Sequence, residues 1–349
     1  MANTYITRTP SSAGNRKKYT LSFWMKRSSV STAGYFFHCA AGESNPQTAI
    51  EMNTDGTLSF WDSTAIMVTP VASLRDTSAW YHIVIAVDTT QSESSRVKFY
   101  INGVQQTTFS TASGKTIVYP SADYEGAINT TVKHTIGAYN NTSGHYSGLV
   151  SHFHFCDGTQ LAPTVFGETD STTGEWKIKT SPSFTLGTNG FTILKDGNTI
   201  TDQSSNSNNF TLVAGTLTKT EDCPSNVFAA FNPLDNYFPA GTYKNGNTTV
   251  NTGNNYAYPQ ATIYVNKGKW YWEVKAISKV SGGDEYMIGI QGRSATAVNQ
   301  PAQANHGITV YGTDGDTYGF GGGATTYAAA YTAGDIVGVA LDCDNNKLY

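Results

Sequence analysis

Charge is scarce in this chain. Lys, Arg, Asp and Glu make up 14% of its 349 residues, with a net charge of −4, against roughly 25% in ordinary soluble domains. The only basic cluster is Arg16-Lys17-Lys18, so there is no cationic stripe of the kind that nucleic acid requires. That cluster reads as a solvated entrance to a strand. Four cysteines stand far apart, at Cys39, Cys156, Cys223 and Cys343. No C-x-x-C pair exists, which excludes the common zinc and dithiol motifs, and Cys39 and Cys156 are expected to be buried free thiols. No stretch approaches the ~18 apolar residues of a membrane span, and the first twenty residues lack the apolar core of a secretion signal. The expectation is a protein made and left in a cytoplasm, without membrane or nucleic-acid partners. Helical periodicity of useful length is missing from the first half.

What is present is the two-residue period of β-strands. Trp80 to Val104, WYHIVIAVDTTQSESSRVKFYINGV, reads as two strands around a polar turn. Tyr81, Ile83, Ile85 and Val87 share one face and His82, Val84, Ala86 and Asp88 the other; since both are largely apolar, this strand is expected to be covered on both sides. Arg96 to Ile101 alternates charged and apolar residues. Asn102-Gly103 supplies the two positive-φ positions of a type I′ turn, so Val104 to Phe109 should return as the next strand. Upstream, Leu21, Phe23 and Met25 share a face of the strand Tyr19 to Lys26, and Asp55-Gly56 predicts a second hairpin. Residues 1 to 18 read as an arm or first edge strand. Ser110 to Asn129 is a long polar excursion, and loops of that length in compact domains are more often functional than accidental.

The blocks YTLSFWMKRS (from Tyr19), WYHIVIAVD (from Trp80), VKFYINGV (from Val97), HTIGAY (from His134) and YSGLVSHFHF (from Tyr146) resemble, in this order, the concanavalin-like laminin-G/pentraxin superfamily. Farther on, KGKWYWEVKA (from Lys267), EYMIGIQG (from Glu285), YGFGGG (from Tyr318) and AGDIVGVALDCDNNKLY (from Ala333) resemble the SPRY domain. The resemblance implies an all-β protein of two sandwiches with little helix. Residues 1–160 are expected to form a laminin-G/concanavalin-like jelly roll, 161–225 a structured connector that packs along it, and 226–349 a SPRY-like sandwich. That sandwich reads as truncated, since the chain stops within its closing hairpin. Trp24, Trp80, Trp270 and Trp272 should be largely buried.

Catalysis finds little support. The superfamily's glucanases carry E-x-D-x-x-E, which sets carboxylates on one face of a strand; the nearest match, Glu168-Thr169-Asp170, has Thr173 where the last Glu is required. No enzymatic activity is expected. Pentraxin-like members bind calcium just after the block equivalent to TIGAY, where this chain has Tyr139, Asn140 and Asn141. Calcium held by amides alone would be weak; Asp123 and Glu125 of the long loop are the candidate substitutes, with loop solubilisation as their plainer reading. No cofactor or metal is expected. His152 and His154, two apart on a strand, lack a third ligand and are expected to face solvent or a neighbouring chain; His38 and His82 read as satisfied sandwich residues. The ligand-binding candidates are Tyr139, Asn140, Asn141, His145 and Tyr146, where flat apolar faces and amides mix as sugar or adaptable protein contacts require. A Gly/Asn turn that covers the sandwich edge is the competing reading.

The composite of laminin-G-like sandwich, connector, NNFT and CPSN blocks and SPRY-like domain resembles virion structural proteins of tailed bacteriophages, in tail or capsid fibres. That resemblance implies a virion surface protein assembled in the host cytoplasm. Its partners would be other virion proteins and a host-surface glycan or protein, its state a homo-oligomer, commonly a trimer. Residues 1 to 18 and the connector around Trp176 are expected to bury area against other virion chains. The alternative is a non-viral carbohydrate-binding module of a larger protein.

Overall fold

A computed structural model describes residues 3–40, 46–63, 65–112, 114–140, 143–195, 197, 199–237, 241–253, 258–278, 286–292, 307–319 and 322–349. The chain divides into two compact units, Met1–Phe228 with Lys244–Thr248, and Ala229–Tyr243 with Thr249–Tyr349. The fold is all-β. Among the described residues the only helical elements are two single 3₁₀ turns, Glu93–Ser95 and Pro163–Val165.

Unit 1 is built from β1 (Tyr5–Arg8), β2 (Lys18–Arg27), β3 (Gly34–Ala40), β4 (Gln47–Met52), β5 (Leu58–Asp62), β6 (Ile66–Val68), β7 (Tyr81–Asp88), β8 (Val97–Ile101), β9 (Val104–Gln106), β10 (Lys133–Ile136), β11 (Gly148–Asp157), β12 (Gly167–Thr169), β13 (Trp176–Ile178), β14 (Phe191–Ile193) and β15 (Thr211–Ala214). One sheet runs β15-β1-β10-β3-β4-β5-β6 and the other β14-β11-β2-β7-β8-β9. The inward faces of the two sheets enclose the core. Phe23, paired with Ile83, stacks on Phe36 of the other sheet at 4.0 Å and on Phe153 at 5.2 Å between centroids. Offset ring stacks of this kind add to the gain from burial alone. Asn102 and Gly103 both hold positive φ (47° and 78°), and Ile101 pairs with Val104 across them, the hairpin that the Asn-Gly pair dictates.

The expected arm is no edge. β1 lies between β10 and β15 with hydrogen bonds to both, and the edge is supplied by β15. Residues 161–225 thus do more than pack alongside: β14 extends one sheet, β15 the other, and the β12–β13 hairpin belongs to a layer over the outer face of β7. There Val84 and Ala86 are buried with Phe166, and His82 stacks on Trp24 (4.8 Å) and Trp176 (6.0 Å). β1 and Trp176 thus have partners within the chain.

His152 and His154 are also buried, at 5% and 3% exposure, which corrects the solvent-facing expectation. The ladder between β11 and β2 shifts register between Ser151 and His154, and His152 adopts φ 47°. That bulge moves Phe153 to the core face already used by Val150 and turns His154 onto Phe166. Each member of the basic cluster has an acid partner: Arg16 with Glu125, Lys17 with Asp123 and Lys18 with Asp88. Cys39 and Cys156 are buried free thiols.

After β15 the chain returns to the outer face of β2. Asp222 meets Lys26 at 2.5 Å with both side chains fully buried, and accepts the Trp80 indole N–H at 2.9 Å. Breaking such a pair would strand a charge in an apolar surround.

In unit 2, Lys269–Lys275 pairs along its length with Ile336–Asp342, and Lys347–Leu348 returns beside it as the Asp-Asn-Asn turn predicts. A second sheet joins Met287–Gln291, Gly307–Tyr311, Asp316–Gly319 and Gly322–Thr326. Trp270, Trp272 and Val274 sit opposite Leu341, Val339 and Val337, yet Trp270 is 45% exposed. Its burial was expected. The indole N–H turns back to the Lys267 carbonyl at 2.8 Å, and the buried apolar residues among those described in this unit are Ala230, Ala276, Tyr331 and Val339.

Candidate functional site

The outer face of the seven-stranded sheet gathers aromatic residues that lie far apart in sequence. Two features of the chain bring them together. The hairpin at Asp55-Gly56 sets Ala49 opposite Trp61 and Glu51 opposite Ser59, so Glu51 and Trp61 point outward from neighbouring strands. On the other side of β4, a register shift between Tyr35 and Phe37 sends both Phe36 and Phe37 into the core and leaves Tyr35 and His38 on the outer face. Ala49 lies between His38 and Trp61 in one row, a small residue that leaves room for the rings around it.

Tyr139 arrives from the turn after β10. Its ring packs on Tyr35 at 4.7 Å and on His38 at 4.5 Å, and Tyr35 meets Trp61 edge-on at 6.5 Å. Tyr35, Trp61, Tyr139 and Glu51 are all half-buried. Hydrogen bonds fix the cluster. The Trp61 indole N–H donates to Glu51 Oε2 at 3.0 Å, and the Tyr35 hydroxyl also bonds to Glu51; burial and then that adjacent carboxylate push the Tyr35 phenol well up from its ordinary range. The Tyr139 hydroxyl donates to Gln47 Oε1 at 2.9 Å. His38 Nδ1 lies 3.4 Å from the Asn140 backbone N–H, which makes it the acceptor and leaves Nε2–H to donate to Gln47 Oε1 at 3.2 Å. Burial lowers the His38 pKa, so the ring is neutral near pH 7.

The sequence candidates therefore separate. Tyr139 is part of the cluster, and Asn140, at φ 41°, borders it. Asn141 lies outside the described residues. His145 turns to Tyr5, ring to ring at 5.9 Å. Tyr146 points into the core, its hydroxyl donating to the Lys26 carbonyl at 2.9 Å and its ring edge-on to Phe36; burial raises its pKa. Tyr35, His38, Gln47, Glu51 and Trp61 were missed. Their signal was the outward alternation on both sides of Asp55-Gly56, readable once that hairpin is placed.

For calcium the residues do not fit. Asp123 and Glu125 are bound to Lys17 and Arg16, and among the described residues no three His, Cys, Asp or Glu side chains converge as a metal site. Glu168 and Asp170 are likewise occupied structurally: Asp170 accepts the Thr172 and Thr173 amides and pairs with Lys177 at 2.6 Å, closing the β12–β13 turn.

Residues 1–166 match the family described as the Concanavalin A-like lectin/glucanases superfamily, and residues 269–349 match the SPRY domain. The chain joins a concanavalin-like domain to a SPRY domain. Among curated proteins it is similar to Ran-binding protein 9 of Danio rerio, 32% identical over 83 residues, which is 24% of this chain and 14% of that protein. Human Ran-binding protein 9 is 31% identical over a stretch of the same length, 11% of its own. The chain thus spans only a small part of these relatives. Among solved structures it is similar to the heptameric SAP-like pentraxin of Limulus polyphemus (16% identity, TM-score 0.33, 46% of this chain and 71% of that one). It is also similar to domain 4 of an extracellular arabinanase from Geobacillus stearothermophilus in complex with arabinotriose (18%, TM-score 0.31, 43% and 65%).

Proposed function

We propose that the concanavalin-like domain binds carbohydrate without catalysis, through the Tyr35, Trp61 and Tyr139 rings around Glu51. One observation carries this reading: three half-buried aromatic rings and a carboxylate are held by hydrogen bonds on an outward sheet face. Sugars offer C–H faces to rings and hydroxyls to fixed acceptors, and a site rigid before binding loses little entropy on binding. Isothermal titration of the full chain against a panel of oligosaccharides tests it. Trp61→Ala or Tyr139→Ala should weaken the best ligand about thirtyfold, in keeping with the roughly 2 kcal/mol of hot-spot aromatics. Unchanged affinity in both variants would move the site elsewhere.

The order of blocks along the chain supports a place for this module on a bacteriophage surface fibre, with other virion proteins and a host-surface glycan as partners. Single sugar contacts are weak, and repeated copies on one particle raise avidity without new contacts; a homotrimer would provide them. Mass spectrometry of purified virions and light scattering of the full chain test both parts. A monomer absent from particles favours the carbohydrate-binding module of a larger non-viral protein.

A further inference from the structure

Resting on the carbohydrate reading, the cluster's ligand can be narrowed by asking which hydrogen-bonding capacity is left at it. The Trp61 N–H and the Tyr35 hydroxyl proton are both directed to Glu51, and the Tyr139 hydroxyl proton to Gln47 Oε1. The polar protons of all three rings are therefore used within the cluster. His38 is neutral and its Nε2–H is also taken by Gln47. What the three rings and Glu51 offer outward is the remaining lone pairs of a carboxylate and the negative faces of aromatic rings.

Nor is the carboxylate neutralised. Both groups that hold Glu51 are uncharged, and it makes no ion pair among the described residues, whose acid–base pairs are formed elsewhere. A fixed negative charge beside the half-buried Tyr35 and Trp61 rings attracts a cation by charge-assisted hydrogen bonding, and the ring quadrupoles add to that attraction. It repels an anion.

We infer that the Tyr35–Glu51–Trp61–Tyr139 cluster selects amino sugars: its ligand is a glycan with a free ammonium group, which Glu51 receives while the sugar face lies on the rings. N-acetylated sugars lose the charge, and uronic or sialic acids bring the wrong one.

The test is titration of the full chain, at a slightly acidic pH that keeps amines protonated, with three probes of equal length: glucosamine tetramer, its N-acetylated counterpart and tetragalacturonate. The glucosamine tetramer should bind about tenfold tighter than the N-acetylated one, as expected for one charge-assisted bond, and tetragalacturonate should not bind. Glu51→Gln should remove the preference, bringing the affinity for the glucosamine tetramer down to that for the N-acetylated one. Equal binding of neutral and cationic tetramers, with Glu51→Gln silent but Trp61→Ala damaging, would overturn the charge selection and leave the carbohydrate reading standing. Binding of no tetramer at all would overturn the amino-sugar inference, and the wider oligosaccharide panel would then decide the carbohydrate reading. A lysine-rich peptide bound as tightly as the amino sugar would also overturn the inference, by assigning the cluster to protein contacts. If Glu51→Gln lowers the melting temperature, salt on the native chain decides: cationic affinity should fall with added salt while neutral affinity stays level, and parallel behaviour would count against the proposal.

Discussion

The two units of this chain use the same secondary structure and reach different degrees of burial. In unit 1 the rings of Phe23, Phe36, Phe37, Phe60, Phe99 and Phe153 are at most 1% exposed, because two sheets face each other and a further layer covers β7. In unit 2 the ladder from Lys269 to Lys275 is as regular as any in unit 1, yet Trp270 and Tyr271 stay 45% and 65% exposed. Hydrogen-bonded pairing and side-chain burial are thus separate achievements. A ladder satisfies backbone groups, and only a second layer removes apolar area from water.

The largest effect that sharpens this contrast is a pH dependence carried by the buried histidines of unit 1. Burial lowers the pKa of His82 and His154 to about 3 and of His134 to about 4, below the ordinary 6.5 of the unfolded chain. All three are neutral in the fold and gain protons on unfolding, so their contribution is complete above about pH 6.5 and is lost as pH falls toward 4 for His134 and toward 3 for His82 and His154. At pH 5 the loss is roughly 2 kcal/mol for each of His82 and His154. Unit 2 has no histidine among its described residues. Native-state hydrogen exchange, corrected for intrinsic rates, should show opening free energies falling further between pH 7 and 5 in unit 1 than in unit 2; an equal fall in unit 2 would erase the distinction.

Next in size is Phe23→Ala, which leaves a cavity between Phe36 and Phe153 and should cost about 3–5 kcal/mol, read as a lower urea midpoint. Smallest is Trp270→Ser, with a cost below about 1 kcal/mol. A cost for Trp270→Ser near that for Phe23→Ala would mean that the unit 2 face is covered in solution.

Much of unit 1 was legible. The two-residue period located β2, β7 and β8, and Asn102-Gly103 placed the hairpin from β8 to β9, since those signals are local. What escaped was either an extra residue or an assembly across strands. On β11 the bulge at His152 brings Val150 and Phe153 to one face and the layer from the connector covers His154, and neither follows from a strict two-residue period. The same kind of shift after Tyr35 hid half of the aromatic cluster. Tyr139 was found because it stands in a turn rich in Asn and Gly. Tyr146 was misplaced for the same reason, since a turn composition does not reveal which of its rings faces inward. Glu51 and Trp61 are ordinary strand residues until β4 and β5 are set side by side.

The position of β1 bears on how the chain is made. Its neighbours in the sheet, β10 and β15, are translated long after it, so a ribosome that has released Tyr5–Arg8 must still produce residues up to Ala214 before both edges of that strand are covered. At roughly 5–20 residues per second the nascent chain spends many seconds with an open strand edge and a phenylalanine-rich face exposed. Folding should accordingly be slow and sensitive to chaperone supply, and a stalled or nicked chain that ends before β15 should be prone to strand-edge aggregation.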